Sequence, residues 1–100
     1  MKIENPQDYS FLRFEKSNSK NKKYDAILKN KKTGKEKRVP FGQFRTNGVP
    51  YEQFRDRTGL NLYSKYDHND LNRRHLYLAR HAKDMENKYS SGYFAKNFLW

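Results

Sequence analysis

The sequence predicts an α+β fold, in which a small antiparallel β-hairpin or three-stranded meander is followed by one long helix and one or two short helices. Two observations support this prediction. Apolar and polar residues alternate through much of the first 40 residues, as they do in half-buried strands. Residues 69–86 then carry apolar side chains at helical spacing. We expect one compact domain over 23–100, preceded by an amino-terminal arm, 1–22, with a candidate strand.

The candidate strand of the arm lies at 9–15. Aromatic and polar residues alternate there, which places Tyr9, Phe11 and Arg13 on one side of the chain. The segment 17–22 is polar and rich in turn-forming residues, so we expect it to be a loop.

A basic β-hairpin is predicted at 23–42. Polar and apolar residues alternate through most of its first strand, 23–29. Gly34 follows as a residue that readily adopts the left-handed conformation of a tight turn. The return strand is predicted at 35–39. It should end before Pro40, because proline has no N–H group to donate inside a sheet.

The long helix is predicted at 69–86. Asp67 or Asn69 is expected to cap it, because a side-chain oxygen at this position accepts hydrogen bonds from the first backbone N–H groups. Residues at helical spacing form a stripe that we expect to face the core. The stripe consists of Leu71, His75, Leu78, Ala82 and Met85. Arg73 and Arg80 lie on the opposite side, which should face solvent.

Shorter helices are expected on both sides of the long one. The linker, 43–66, has the spacing of a short helix at 51–57. The terminal segment, 90–100, is rich in aromatic residues and should form a helix that Ser90 or Ser91 caps.

Positive charge is concentrated in one stretch of the chain. The net charge is +11 on 100 residues, and 16–45 holds eleven Lys or Arg against two acidic residues. Such a field attracts polyanions, and the predominance of lysine favours contacts with phosphates over the reading of bases. The alternative is that these lysines only keep the surface solvated. The candidate polyanion-binding residues are Lys20, Lys22, Lys23, Lys29, Lys31, Lys32, Lys35, Lys37 and Arg38.

The spacing of the histidines argues against a catalytic metal. His75 and His81 are six residues apart, which places them on opposed sides of a helix, where they cannot share an ion. We expect His75 to be a core residue, and we keep a His-Asn-His nuclease only as a remote alternative. Phosphate-cradling glycine motifs are also missing from the sequence. We therefore expect no enzymatic activity, no metal and no cofactor.

Composition bears on the compartment. The sequence has no cysteine and no apolar run approaching the roughly 20 residues of a membrane-spanning helix. Its first residues lack the apolar stretch of a signal peptide. We expect an intracellular protein without a transmembrane segment.

Several short motifs together resemble those of one protein family. They are Lys23-Tyr24, Phe41-Gly42, Tyr66-Asp67-His68-Asn69-Asp70, Arg73-Arg74, Tyr77-Leu78-Ala79-Arg80-His81, Tyr89-Ser90-Ser91-Gly92-Tyr93-Phe94 and Leu99-Trp100. The family consists of small, basic proteins encoded by large DNA viruses of algae and protists and by some marine phages. The resemblance implies a viral origin and a compact fold of a β-hairpin with helices, and it brings no established activity.

Two non-enzymatic functions are expected of a short, basic viral protein. The first is a virion-associated protein that binds nucleic acid nonspecifically through the lysine-rich hairpin. The alternative is a minor capsid or cement protein whose hairpin contacts an acidic capsid-protein surface. Either function places the protein in the virion, and in the host cytoplasm or nucleus during assembly. No small-molecule substrate is expected.

Overall fold

Three antiparallel strands form one sheet in the order β1-β2-β3. The computed structural model describes residues 4–82 and 87–100 and places β1 at Tyr9–Lys16, β2 at Lys22–Asn30 and β3 at Glu36–Gln43. The strand predicted in the amino-terminal arm is confirmed. It pairs with β2 along most of its length, so it belongs to the sheet rather than to a separate arm.

The described residues also form two α-helices, α1 at Leu71–Arg80 and α2 at Ser91–Phe98, and single-turn 3-10 helices at Pro6–Asp8 and Ser64–Tyr66. The predicted α+β class is therefore confirmed. α1 has ten residues, and the predicted continuation of this helix toward residue 86 falls largely outside the described residues.

The core lies between α2 and one face of the sheet. Its buried residues are Tyr24, Ala26 and Leu28 from β2, Val39 and Phe41 from β3, and Phe94, Ala95 and Leu99 from the carboxyl-terminal segment. Ser90 caps α2 by accepting a hydrogen bond from the backbone N–H of Tyr93, as one of the two predicted caps. Ser91 donates to the carbonyl of Pro40 at 2.6 Å and so joins the start of α2 to β3.

A β-bulge changes which side chains of β1 face the core. Phe11 and Arg13 pair with consecutive residues of β2, and Leu12 between them has no partner in the register. One extra residue reverses the alternation of a strand. Phe14 consequently joins Phe11 on the core side, with their ring centroids 4.8 Å apart. Arg13 lies on the other face, so the prediction that it shares a side with Tyr9 and Phe11 was wrong.

β3 continues through Pro40, where the sequence predicted it to end. Pro40 pairs with Asp25, and the strand runs on to Gln43. An edge strand tolerates proline because only one row of its N–H groups is needed for pairing. β3 is such an edge strand, so the predicted boundary was wrong.

The helix predicted at 51–57 does not form. Gln53 is buried there, and its side-chain amide donates to the carbonyl of Tyr63 and to Asp67 at 3.0 and 2.8 Å. Its backbone forms a parallel bridge with Asp67. The backbone N–H and carbonyl of Gln53, which a helix would use, are bonded instead to the carbonyl of Tyr66 and the N–H of His68, more than ten residues downstream.

α1 does not bury the stripe that the sequence predicted. Leu71 is 71% exposed, His75 and Ala82 are exposed, and Leu78 is only half-buried. Met85 lies outside the described residues. The prediction that this stripe faces the core, with His75 as a core histidine, was therefore wrong.

The face of α1 that contacts the rest of the protein carries Arg74 and Tyr77. The ring of Tyr77 stacks on Trp100, with centroids 4.0 Å apart and planes 5° apart, and the Arg74 guanidinium donates to the carbonyl of Trp100. Aromatic stacking with a residue from the far end of the chain thus sets the orientation of the helix.

The amino end of α1 is capped by Asp70. One oxygen of its carboxylate accepts hydrogen bonds from the backbone N–H groups of Asn72 and Arg73 at 2.9 and 3.2 Å. Asp67 and Asn69, the predicted caps, lie outside this position. The Asp67 carboxylate is instead engaged by Gln53 and by the backbone of the linker.

Candidate functional site

Five of the candidate residues cluster at the turn between β2 and β3. We call them the turn lysines: Lys29, Lys31, Lys32, Lys35 and Lys37. Four of them are exposed and Lys37 is half-buried. Lys32 lies 3.6 Å from Asp8, but its side chain is 77% exposed and such a pair contributes little.

The turn itself is well defined by local hydrogen bonds. The Asn30 side chain accepts from the backbone N–H groups of Lys32 and Thr33, and Gly34 has the predicted left-handed conformation with φ of +74°. The lysines therefore project from an ordered turn at one end of the sheet.

Lys20 and Lys22 lie at the opposite end of the sheet from the turn lysines. β2 spans nine residues, so its two ends are roughly 26 Å apart. The structure thus divides the predicted binding residues into two groups rather than one continuous surface.

Lys23 is buried and cannot serve as a phosphate contact. It is 2% exposed, and its ammonium donates to the carbonyl of Tyr51 and to the side-chain oxygen of Gln53, both at 2.6 Å. Burial lowers its pKa to about 8, although the negative charges of Asp56 and Asp67 act in the opposite direction. Its inclusion among the exposed binding residues was therefore wrong.

Arg38 is also unavailable for a polyanion, because it forms ion pairs on the face of the sheet opposite the core. Its guanidinium lies 3.0 Å from the buried carboxylate of Asp25 and 2.6 Å from Glu15. Hydrogen bonds from Arg13 and Arg38 hold the pKa of Glu15 below its ordinary value. Because two carboxylates balance its charge, Arg38 adds little to a polyanion site.

The close packing around Lys23 predicts a large effect of Gly42→Ala. Gly42 has φ of +80°, and a Cβ atom there would lie 2.9 Å from the Lys23 side chain. Gly48 is the matched control, since its φ is +84° and a Cβ would meet nothing within 4 Å. We expect Gly48→Ala to lower the free energy of unfolding by about 1 kcal/mol through backbone strain alone, and Gly42→Ala to lower it clearly further. Urea denaturation of both variants measures this, and equal losses would contradict the close contact.

A cleft of about 660 Å³ opens where the end of the sheet meets α1 and α2. We call it the basic cleft, because Lys22, Arg45, Arg73 and Arg80 line it. Glu52 is the one carboxylate among its described lining residues, and it lies 3.4 Å from Arg73. The cleft therefore carries a strong excess of positive charge.

The basic cleft also has an apolar part. Half-buried Tyr77 and Trp100 line it with their stacked rings, whereas Phe41, Ala95 and Leu99, which also border it, are at most 8% exposed. Tyr51 borders it too, and the Arg45 guanidinium lies 4.7 Å from the centroid of the Tyr51 ring. Cations and apolar surface thus meet in one concavity.

Sequence reasoning assigned Arg73 and Arg80 to a solvated helix face. A signal was available, because Arg73, Tyr77 and Arg80 have the i, i+4, i+7 spacing of one face. Arg45 comes from the linker, and nothing in its spacing connects it with α1. Only the folded chain brings these residues together.

Within residues 4–82 and 87–100, no group of three His, Asp or Glu side chains is arranged to hold a metal ion. His81 packs against Tyr77 with ring centroids 4.5 Å apart. His68 accepts a hydrogen bond from the backbone N–H of Asp70 at its Nδ1 atom.

Comparison of the chain with family models, curated proteins and solved structures gave no significant match. The viral resemblance therefore stays a prediction. In the part of the chain that the structure describes, none of the helices combines the length and the apolar character needed to cross a membrane.

Proposed function

We propose that this protein binds nucleic acid without sequence preference and has no enzymatic activity, and that it acts as a virion-associated packing protein. The observation that carries the proposal is the group of turn lysines, which lie in and beside one ordered turn and form one ion pair among the described residues, Lys32 with Asp8. The viral setting rests on the sequence resemblance alone.

The chemistry of the turn lysines fits phosphate contacts. An ammonium group acts as a point charge and does not match the paired acceptors of a base edge as a guanidinium does. Neutralising phosphates releases condensed counterions, so binding should weaken steeply as salt rises. The expected mode of binding is electrostatic and independent of sequence.

Replacing Lys29, Lys31, Lys32 and Lys35 with Ser is expected to weaken DNA binding and to reduce its salt dependence. The slope of log K against log salt should fall by roughly 0.9 for each phosphate that the variant no longer neutralises. The measurement is a titration of random-sequence duplex DNA across a salt series, with magnesium present in a parallel set to detect cleavage.

A control variant separates a local site from net charge. Lys16, Lys65, Lys88 and Lys96 are exposed and lie outside the hairpin turn, and replacing them with Ser removes the same four charges. We expect this variant to keep most of the slope. An equal loss in both variants, or an unchanged slope in the turn variant, would reject the turn lysines as the binding site.

The alternative remains a minor capsid or cement protein held by protein contacts. The feature that favours it is edge strand β1, on which Phe11 and Leu12 are 38% and 40% exposed. Edge strands can pair with a strand of another protein. Absence of DNA binding at physiological salt would favour this function.

A further inference from the structure

We propose that the basic cleft is a binding site for a nucleotide, with its phosphate held by the arginines and its base against the apolar part. This goes beyond the proposed function, which rests on the turn lysines at the other end of the sheet. It also departs from the expectation that no small molecule binds. The nucleotide is a ligand here, and no reaction is proposed.

The charges of the cleft favour an anion. Within the described ranges, Lys22, Arg45 and Arg80 have no carboxylate partner within 4.0 Å, and only Arg73 is paired, with exposed Glu52. A concave surface with one sign of charge focuses the field and concentrates counterions. The side chains that surround this cleft therefore favour an anion as its ligand.

The type of cation favours phosphate. A guanidinium offers several N–H donors in a planar fork that binds two phosphate oxygens at once. Arg73 and Arg80 lie two helical turns apart on α1, and Arg45 lines the same cleft from the linker. The turn lysines, by contrast, offer ammonium groups, which act as point charges and do not bind two oxygens in this paired way. The cleft should thus hold a phosphate in a defined position, whereas the turn makes diffuse contacts.

The apolar part favours a ligand that also has a flat, poorly hydrated group. Half-buried Trp100 lines the cleft with its ring held by stacking on Tyr77, and Tyr51, which is 44% exposed, borders the same cleft. A bare inorganic anion gains nothing from such a surface, but a nucleobase does. The volume of about 660 Å³ lies within the range of pockets that enclose small organic ligands.

Trp100 provides a direct readout because it is the one tryptophan of the chain and lines the cleft. Titration with AMP at low salt should change its fluorescence saturably. Adenosine, which lacks the phosphate, and inorganic phosphate, which lacks the base, should each bind at least about tenfold more weakly than AMP. No saturable response to AMP would overturn the proposal, and so would an equal response to inorganic phosphate.

The double variant Arg73→Gln and Arg80→Gln should weaken AMP binding by about tenfold or more. Both side chains are exposed on α1, so the fold should survive, and circular dichroism checks this. The matched control is Lys31→Gln with Lys32→Gln, which removes the same charge from the hairpin turn and should leave AMP affinity unchanged. The reverse pattern, with AMP binding abolished in the control and kept in the arginine variant, would also overturn the proposal.

The same variants keep the two proposals distinguishable. Loss of duplex DNA affinity in the turn-lysine variant tests the packing function, and the AMP response tests the cleft. A short oligothymidylate that competes with AMP for the Trp100 signal identifies the bound nucleotide unit as part of a single strand. An AMP response that the oligonucleotide does not displace identifies a free nucleotide, and both results support the site.

Discussion

Phe94→Ala is expected to lower the free energy of unfolding by about 3–5 kcal/mol, a large share of the stability of a domain of this size. Phe94 is 1% exposed and sits at the centre of the aromatic core. Its ring centroid lies 5.6 Å from that of Phe41 and 6.0 Å from that of Phe14, and Phe14 reaches it only because of the bulge in β1. Truncation therefore removes buried apolar area and leaves a cavity between α2 and the sheet.

Urea denaturation followed by circular dichroism measures this loss. Phe11→Ala is the matched control, because the same ring is deleted at a position that is 38% exposed. Its loss should be clearly smaller, since less apolar area is buried there. A loss for Phe94→Ala no larger than that for Phe11→Ala would mean that α2 does not close the core as described.

The second large effect is a rise in stability between about pH 8 and pH 10. Burial lowers the pKa of Lys23 to about 8 in the folded protein, against an ordinary value of 10.5. Between these values the unfolded chain binds a proton that the folded protein does not, so the free energy of unfolding increases with pH. Below pH 8 both states are protonated, and the buried ammonium costs about 3 kcal/mol at neutral pH.

Lys23→Met tests the assignment of this rise. The variant has no titrating amine, so its free energy of unfolding should stay nearly level over the same interval. The interval ends near pH 10 because burial and its hydrogen bond to Asp56 raise the pKa of Tyr24 above the ordinary tyrosine value. At higher pH, tyrosine ionises more readily in the unfolded chain and stability should fall. A level profile in the unsubstituted protein would contradict the burial of the Lys23 charge.

Local patterns in the sequence predicted most of the secondary structure. The alternation in 23–29 predicted a strand, because side chains of a strand point to opposite sides in turn, and Tyr24, Ala26 and Leu28 of this strand lie in the core. Gly34 predicted the turn, and Ser90, which caps α2, was one of the two predicted caps, since both features depend on backbone geometry within a few residues. The α+β class followed from these elements.

Predictions failed where a distant residue decided the outcome. The bulge at Leu12 depends on the pairing of β1 with β2, and the packed face of α1 depends on Trp100. The segment 51–57 has helical spacing but forms no helix, because Gln53 bonds instead to Asp67. Spacing alone does not say which face of an element finds a partner.

The sequence by itself determined the amount of positive charge and its concentration in 16–45. Only the tertiary structure decided which of these charges can meet a ligand. Lys23 is buried because acceptors from residues 28 and 30 positions downstream surround its ammonium. Arg73 and Arg80 line a cleft because Tyr77 between them stacks on Trp100. Charge is a sum over the chain, whereas access to a charge depends on neighbours that the fold brings from far along it.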